Sequence, residues 1–168
     1  MTSPKEREYL VKITTDPDTD RKLQERWWVK EARPLLHRED GPAVQMWDKD
    51  TGLLTRERYY HFGDRHREGG PSSVSYHPLT GEIIGESWDC HNALNRTDGG
   101  PALWRKDPET GVVVHEEYWE NGVKHRDGGA PAAIWRDKDT GQIVGLEFYE
   151  DGDLIREEEA YPSECLEP

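Results

Sequence analysis

Short stretches of alternating apolar and polar residues run through this chain, each bounded by turn-forming residues. Four Thr-Gly pairs recur, and the positions four, six and eight residues beyond each Thr end in an aromatic residue. A period of two places such positions on one face of a β-strand. The sets are Thr55, Glu57 and Tyr59; Ile84, Glu86 and Trp88; Val114, Glu116 and Tyr118; and Val144, Leu146 and Phe148. The same offsets from Thr19 give Leu23, Glu25 and Trp27, which predicts a preceding half-copy.

Two further markers keep step with the Thr-Gly pairs at intervals of 29 to 30 residues. They are the pairs His37-Arg38, His66-Arg67, Asn95-Arg96 and His125-Arg126, and the prolines Pro42, Pro71, Pro101 and Pro131. Co-periodic markers of this kind indicate tandem copies of one supersecondary unit.

Each copy predicts a hairpin, with a short strand after the Pro, a polar tip and a longer strand. The tips are Asp50-Thr51-Gly52, Glu109-Thr110-Gly111 and Asp139-Thr140-Gly141, which carry the residues that turns require. The predicted fold class is therefore all-β, with tandem β-hairpin repeats of 29–30 residues forming an elongated, twisted antiparallel meander. We expect one array over residues 1–156, with a half-unit at 9–30, full units at about 31–60, 61–89, 90–119 and 120–149, and a partial unit at 150–156. The three-residue insertion Glu31-Ala32-Arg33 joins the half-unit to the first copy, and residues 157–168 are expected to form a tail or cap.

A carboxylate recurs two residues before the aromatic residue, on the face expected to be packed. A buried carboxylate needs a partner, and every copy supplies an Arg at a fixed place. We therefore predict a ladder of charge-assisted Glu–Arg hydrogen bonds between neighbouring copies. Its members are Glu25, Glu57, Glu86, Glu116, Arg38, Arg67, Arg96 and Arg126, and it ends at the fourth copy, where Leu146 replaces Glu.

The short strands carry a second set of aromatic residues: Trp47, Tyr76, Trp104 and Trp135. Their offset from the Pro varies between three and five residues, so periodicity alone leaves both core packing and surface exposure open. Those that lie on an outer face are candidate contacts for a protein partner.

Composition narrows the classes of function. The chain is 33% hydrophobic and 34% charged, which suits a thin fold better than a thick core, and its formal net charge is -13. That charge argues against direct nucleic-acid binding and against anionic membranes, and leaves either a solvated acidic surface or a surface for a basic partner. Cys90 and Cys165 form neither a disulfide framework nor a zinc pattern, and the charged start lacks a signal peptide. We expect a cytoplasmic protein.

The His-Arg-x-Asp-Gly segments suggest catalysis at first sight, since His37 with Asp40, or His125 with Asp127, offers a base and an orienting group. The segment recurs with the fold, however, and Asn95 replaces His in the third copy. We therefore predict no catalytic residue, no metal ligand and no cofactor, and a turn in which these side chains bond to backbone groups.

The stretch Asn121-Gly122-Val-Lys-His125-Arg126-Asp-Gly128-Gly resembles the Asn-Gly-x-x-His-Gly-x-Gly segment of MORN repeats. Tyr118-Trp119-Glu-Asn-Gly is similar to the opening of the variant repeats in YwqK-type proteins of toxin–antitoxin systems. The segment from His37 to Ala43 resembles His-Arg-x-Asp-Gly-Pro-Ala repeats of phage, large-virus and bacterial proteins. The resemblance implies a β-hairpin repeat and, from the YwqK-type proteins, an antitoxin-like role.

The leading hypothesis is a non-enzymatic protein-binding module, an inhibitor or antitoxin-like protein that occupies the surface of a toxin or of a nucleic-acid-binding defence effector. One alternative is a phage-encoded anti-CRISPR or anti-restriction protein whose carboxylates imitate a phosphate backbone. Another is a structural scaffold whose terminal strands pair with one another. We expect a monomer or a small homo-oligomer.

Overall fold

The computed structural model describes residues 6–159 and confirms the all-β prediction. Residues 1–5 and 160–168, including Cys165 and most of the predicted tail, lie outside the described residues, whereas residues 157–159 belong to the last strand. The strands are β1 (Tyr9–Thr15), β2 (Lys22–Val29), β3 (Leu35–Leu36), β4 (Val44–Trp47), β5 (Leu54–Arg58), β6 (Tyr60–His61), β7 (Asp64–Arg65), β8 (Ser73–Tyr76), β9 (Ile83–Ser87), β10 (Asp89–Cys90), β11 (Ala93–Leu94), β12 (Leu103–Lys106), β13 (Val113–Glu117), β14 (Trp119–Glu120), β15 (Val123–Lys124), β16 (Ala133–Arg136), β17 (Ile143–Glu150) and β18 (Asp153–Glu159). One 3-10 turn, Asp127–Gly129, precedes β16.

The chain divides into two compact units, with the boundary between Ile83 and Ile84. In the N-terminal unit the main strands follow the order β1-β2-β4-β5-β8, with β3 beside the end of β2. In the C-terminal unit the order is β9-β12-β13-β16-β17-β18. Paired strands within each unit are antiparallel, so each unit is the meander of hairpins that the sequence predicted.

Each main hairpin tip is closed by a side chain three residues before its Thr, which is an Asp in four tips and His77 in the tip at Thr80. The Asp107 carboxylate accepts hydrogen bonds from the backbone N–H groups of Glu109 and Thr110 and from the Thr110 hydroxyl, at 2.9 to 3.2 Å. Asp16, Asp48 and Asp137 act in the same way, and these bonds lower the pKa of each of the four carboxyls. Gly111 follows with a φ of 74°, in the left-handed region that favours glycine.

A second, smaller hairpin follows the long strand in each copy, a feature that the sequence reasoning missed. Two-residue strands flank tips in which both residues have positive φ, the geometry of a type I′ turn. The tips are Phe62-Gly63, His91-Asn92, Asn121-Gly122 and Asp151-Gly152. In the last copy the flanking strands, β17 and β18, are long and continuous.

The core is thin and built from small side chains. The residue after each marker proline is completely buried, namely Ala43, Ser72, Ala102 and Ala132. Val29, Val44, Val74, Tyr118, Ala133 and Ile134 complete the buried apolar set. Most larger side chains on the strands are half-buried, so both surfaces of the layer carry polar and aromatic groups. No helix in residues 6–159 has the length and apolar character needed to cross a bilayer.

Candidate functional site

The Arg of each copy lies over the aromatic residue that ends the long strand. The distances from the guanidinium carbon to the ring centroid are 4.2 Å for Arg38 and Trp27, 3.9 Å for Arg67 and Tyr59, 4.1 Å for Arg96 and Trp88, 3.7 Å for Arg126 and Tyr118, and 3.8 Å for Arg156 and Phe148. The Nη1 groups of Arg38, Arg67, Arg96 and Arg126 also donate to the carbonyl oxygens of the marker prolines, at 3.1 to 3.5 Å. The periodic Arg therefore ties the loop to the end of the long strand through a cation–π contact.

This arrangement differs from the predicted Glu–Arg ladder. Arg38 does lie 3.6 Å from a carboxylate oxygen of Glu25, but Arg67, Arg96 and Arg126 are placed against their rings. The Arg belongs to a loop that crosses the end of the strand, so the aromatic residue lies closer to it than the Glu two residues earlier.

The predicted carboxylates have partners of another kind, supplied mainly by the short strands. Glu57 accepts a hydrogen bond from the Tyr76 hydroxyl at 2.8 Å, and Glu86 accepts one from Trp104 Nε1 at 3.0 Å. Further donors are Gln45 to Glu57, Arg136 to Glu116, and Lys22 and Trp27 to Glu25. Glu25 is only 8% exposed, and its pKa is lowered chiefly by the hydrogen bond from Lys22.

These contacts define an aromatic–carboxylate face on one side of each unit's layer. In the N-terminal unit the face comprises Glu25, Trp47, Glu57 and Tyr76, and in the C-terminal unit it comprises Glu86, Trp104, Glu116 and Arg136. Trp47 belongs to it because the Lys22 ammonium, bonded to Glu25, lies 4.9 Å from its ring centroid. Burial and the Glu57 carboxylate raise the pKa of Tyr76, which keeps its hydroxyl a neutral donor.

The structure separates Trp135 from the other three predicted contact residues. Trp135 stacks on His115 at 5.2 Å between centroids and covers Gly145, on the side of the layer opposite the face. Trp47, Tyr76 and Trp104 lie at odd offsets from their prolines and Trp135 at an even one. Because strand side chains alternate, this parity identifies the side on which each residue lies. All four are half-buried.

An ionic cluster that the sequence reasoning missed surrounds Glu117 in the C-terminal unit, on the same side as Trp135. Trp119 Nε1 donates to Glu117 at 2.8 Å, and Lys124 Nζ and His115 Nε2 each lie 3.4 Å from its Oε1. Lys124 also lies against the rings of Trp119 and Tyr149. His115, Trp119 and Lys124 together lower the pKa of Glu117 to about 2.

The His-Arg segments use their first residue as a hydrogen-bond acceptor for the following copy. Asn95 Oδ1 accepts the backbone N–H of Asn121 at 3.0 Å, and His125 Nδ1 accepts that of Asp151 at 3.3 Å. His37 Nδ1 lies 3.4 Å from the backbone nitrogen of Phe62. An Asn side-chain oxygen and an imidazole Nδ1 serve equally well here, which explains why Asn replaces His in the third copy.

Neither a protein-family model, nor a curated protein, nor a solved structure matches this chain. The resemblance to MORN-like and YwqK-type repeats stays a prediction.

Proposed function

We propose that this chain is a non-enzymatic protein-binding module that acts by covering the surface of a target protein with its aromatic–carboxylate face. Inhibition of a toxin or of a defence effector is the form of this activity that the repeat resemblance favours. We place the activity in the cytoplasm, where the exposed thiol of Cys90 stays reduced.

The observation that supports this proposal is the fixed geometry of half-buried aromatic residues beside carboxylates. Tyr76 and Trp104 are each held by a hydrogen bond to a Glu, so their rings lose little further conformational freedom on binding. Trp and Tyr are among the side chains that most often dominate binding energy at interfaces.

The charge of the chain indicates the kind of target. A formal charge of -13 attracts a basic surface over a distance and repels acidic ones. We therefore expect the target to present a basic rim around an apolar centre that receives the rings.

Affinity capture from a lysate of the source organism tests the proposal when it compares variants of the same chain. We expect the unaltered protein to retain a specific partner that Tyr76→Ala and Trp104→Ala lose. Trp135→Ala is the matched control, because it removes a half-buried Trp from the opposite side of the same unit. Loss of capture by Trp135→Ala alone, or no difference among the variants, would contradict the proposal.

A second candidate function, imitation of a nucleic-acid backbone, is supported by the hairpin tips. Asp50 and Asp139, at equivalent places in two copies, have side chains that are 78% and 68% exposed. Exposed carboxylates at such tips resemble phosphate groups to a nuclease with a basic channel. Competition with DNA for such a nuclease, weakening steeply as salt is raised, supports this form. Loss of inhibition through Trp104→Ala with full inhibition by Asp50→Asn and Asp139→Asn rules it out.

A further inference from the structure

Strand β1, Tyr9–Thr15, forms one edge of the main sheet of the N-terminal unit. Within residues 6–159, β2 is the strand that pairs with it. Leu10, Val11 and Ile13 are 43%, 44% and 53% exposed. Long apolar edges of this kind are templates for pairing with another chain, and native sheets usually protect them.

The edge strand of the C-terminal unit shows what such protection looks like in this protein. Strand β18 ends in Glu157, Glu158 and Glu159, and it begins with Asp153. Strand β1 has the sequence Tyr-Leu-Val-Lys-Ile-Thr-Thr, with one charged side chain and neither Gly nor Pro. Strand β18 also exposes Leu154 and Ile155, by 50% and 63%, but its four acidic and one basic side chains disfavour pairing, so β1 is the more open of the two edges.

The pairing with β2 shows which backbone groups of β1 point outward. The N–H of Lys30 donates to the carbonyl of Glu8, and bonded pairs alternate with non-bonded pairs along an antiparallel ladder. Trp27, which lies opposite Val11, bonds instead to Ala43 through its N–H and to His37 through its carbonyl. The N–H and C=O groups of Val11, and by alternation those of Tyr9 and Ile13, therefore point away from β2.

We propose that β1 pairs antiparallel with β1 of a second copy of this chain, about a two-fold axis through Val11. Tyr9 then lies opposite the partner's Ile13, and Val11 lies opposite the partner's Val11. Each residue whose backbone N–H and C=O groups point away from β2 therefore faces a residue of the same kind in the partner. Lys12 lies opposite the partner's Leu10, and no like charges lie opposite each other along residues 7–15; Glu6 and the partner's Asp16 face each other only beyond the ladder. An aromatic residue opposite a β-branched one is a favourable cross-strand pair.

Neighbouring registers are less favourable. An axis through Lys12 sets two ammonium groups opposite each other, which is destabilising. An axis through Leu10 places Ile13 opposite the partner's Arg7, so the apolar Ile13 side chain has no apolar residue opposite it. The Val11 register is therefore the favourable one, and a second copy of this chain is the partner that fits the β1 edge. The two-fold axis uses both β1 edges, and the charged β18 edge disfavours further pairing, so the assembly stops at a dimer.

The proposed dimer is separate from the proposed function and does not depend on it, because none of the residues that define the aromatic–carboxylate face lies in β1. A single strand pair buries less than a standard interface, so we expect a dissociation constant on the order of micromolar. Two copies of charge -13 repel, so the dimer is strengthened by salt. Binding of a basic partner has the opposite salt dependence.

Sedimentation equilibrium of the full chain tests the proposal. We expect a monomer–dimer equilibrium, with dissociation weakened by raising NaCl. Val11→Lys and Val11→Pro should raise the dissociation constant by more than about tenfold; Pro is tolerated by the monomer because the lost N–H faces outward. Ile155→Lys on β18, where Ile155 is 63% exposed, is the matched control and should leave the dimer intact.

Hydrogen exchange of the unaltered chain gives a second measurement that does not depend on a variant folding. The amides of Tyr9, Val11 and Ile13 should gain protection as protein concentration rises, while exchange at β18 stays constant. A monomer at all concentrations up to about 100 µM, well above the weak-dimer range, would overturn the proposal. So would an unchanged dimer with Val11→Lys, or a dimer abolished by Ile155→Lys.

Discussion

The carboxylate of Glu117 shows how a single layer of strands holds ionised groups without a thick core. Its side chain is 16% exposed and is flanked by His115, Trp119 and Lys124. Such groups remain charged because their neighbours supply donors and positive charge, which offsets the partial loss of water.

Glu117 should make stability depend on pH in the acid range. Its pKa in the folded chain is about 2, below its ordinary value of 4.5, so the unfolded chain binds the proton first. The stabilisation is complete above about pH 4.5 and is lost as the pH falls toward about 2. We expect Glu117→Gln to reduce the change in unfolding free energy over this pH range by about 1–2 kcal/mol. The effect is smaller than the lowered pKa alone implies, because the 3.4 Å contact between His115 and Glu117 is long. Urea unfolding between about pH 2 and 6 measures it.

Glu109→Gln, at an exposed hairpin tip of the same unit, is the control for that experiment. It should leave the pH dependence of unfolding close to that of the unaltered chain. Equal slopes for Glu117→Gln and the unaltered chain would show that Glu117 has no such role.

The first residue of each His-Arg segment gives a second prediction for a single side chain. His125→Asn should fold with nearly unchanged stability, because Asn95 already performs the same acceptor role in the preceding copy. His125→Ala leaves the Asp151 N–H without this acceptor and should lower the free energy of unfolding by about 0.5–1 kcal/mol. Thermal unfolding of the three proteins distinguishes them, and equal losses for Asn and Ala would refute the acceptor role.

Among the structural elements, the main hairpins were predictable from sequence because their tips are determined locally. At the tips before β5, β13 and β17, an Asp, a Thr and a Gly at fixed spacing close the turn by themselves; His77 takes the place of the Asp in the tip before β9. The smaller hairpins escaped prediction because their tips differ. Asn121-Gly122 and Asp151-Gly152 have sequences typical of a type I′ turn, but Phe62-Gly63 and His91-Asn92 do not. Their geometry is supported by contacts with the preceding copy, such as Gly122 N–H to the Leu94 carbonyl at 2.9 Å.

The partner of the periodic Arg was also beyond sequence reasoning. Spacing identified which residues share a face within each unit: Glu25 with Glu57 in the N-terminal unit, and Glu86 with Glu116 in the C-terminal unit. It carries no information on the direction from which a loop approaches a strand end. The loop brings Arg96 over Trp88 and leaves Glu86 to Trp104.

Replacing this Arg by Lys should weaken the connection between loop and strand. Arg96→Lys loses the planar stacking on Trp88, the bond to the Pro101 carbonyl and the paired hydrogen bonds to the exposed Asp98, so we expect a loss of about 1 kcal/mol in unfolding free energy. Arg105→Lys, at an exposed position of β12, is the matched control and should change stability by less than about 0.5 kcal/mol. Equal changes in unfolding free energy for Arg96→Lys and Arg105→Lys, measured by chemical denaturation, would show that the stacking of Arg96 on Trp88 is unimportant.

At the scale of the whole molecule, thin packing and charge act together. A chain that is 34% charged buries little apolar area, and its layers leave aromatic residues only half-buried on both sides. The side on which an aromatic residue lies follows from the parity of its offset from the proline. Sequence reasoning listed Trp47, Tyr76, Trp104 and Trp135 together because it did not apply that parity.

The affinity of the purified target for two Trp variants tests the proposed binding face most directly. In titration calorimetry, Trp104→Ala should weaken binding by at least about tenfold, as expected for a central aromatic contact. Trp135→Ala, on the opposite side, should stay within about twofold of the unaltered chain, a difference below about 0.5 kcal/mol. Equal losses, or a larger loss for Trp135→Ala, would contradict binding through the aromatic–carboxylate face.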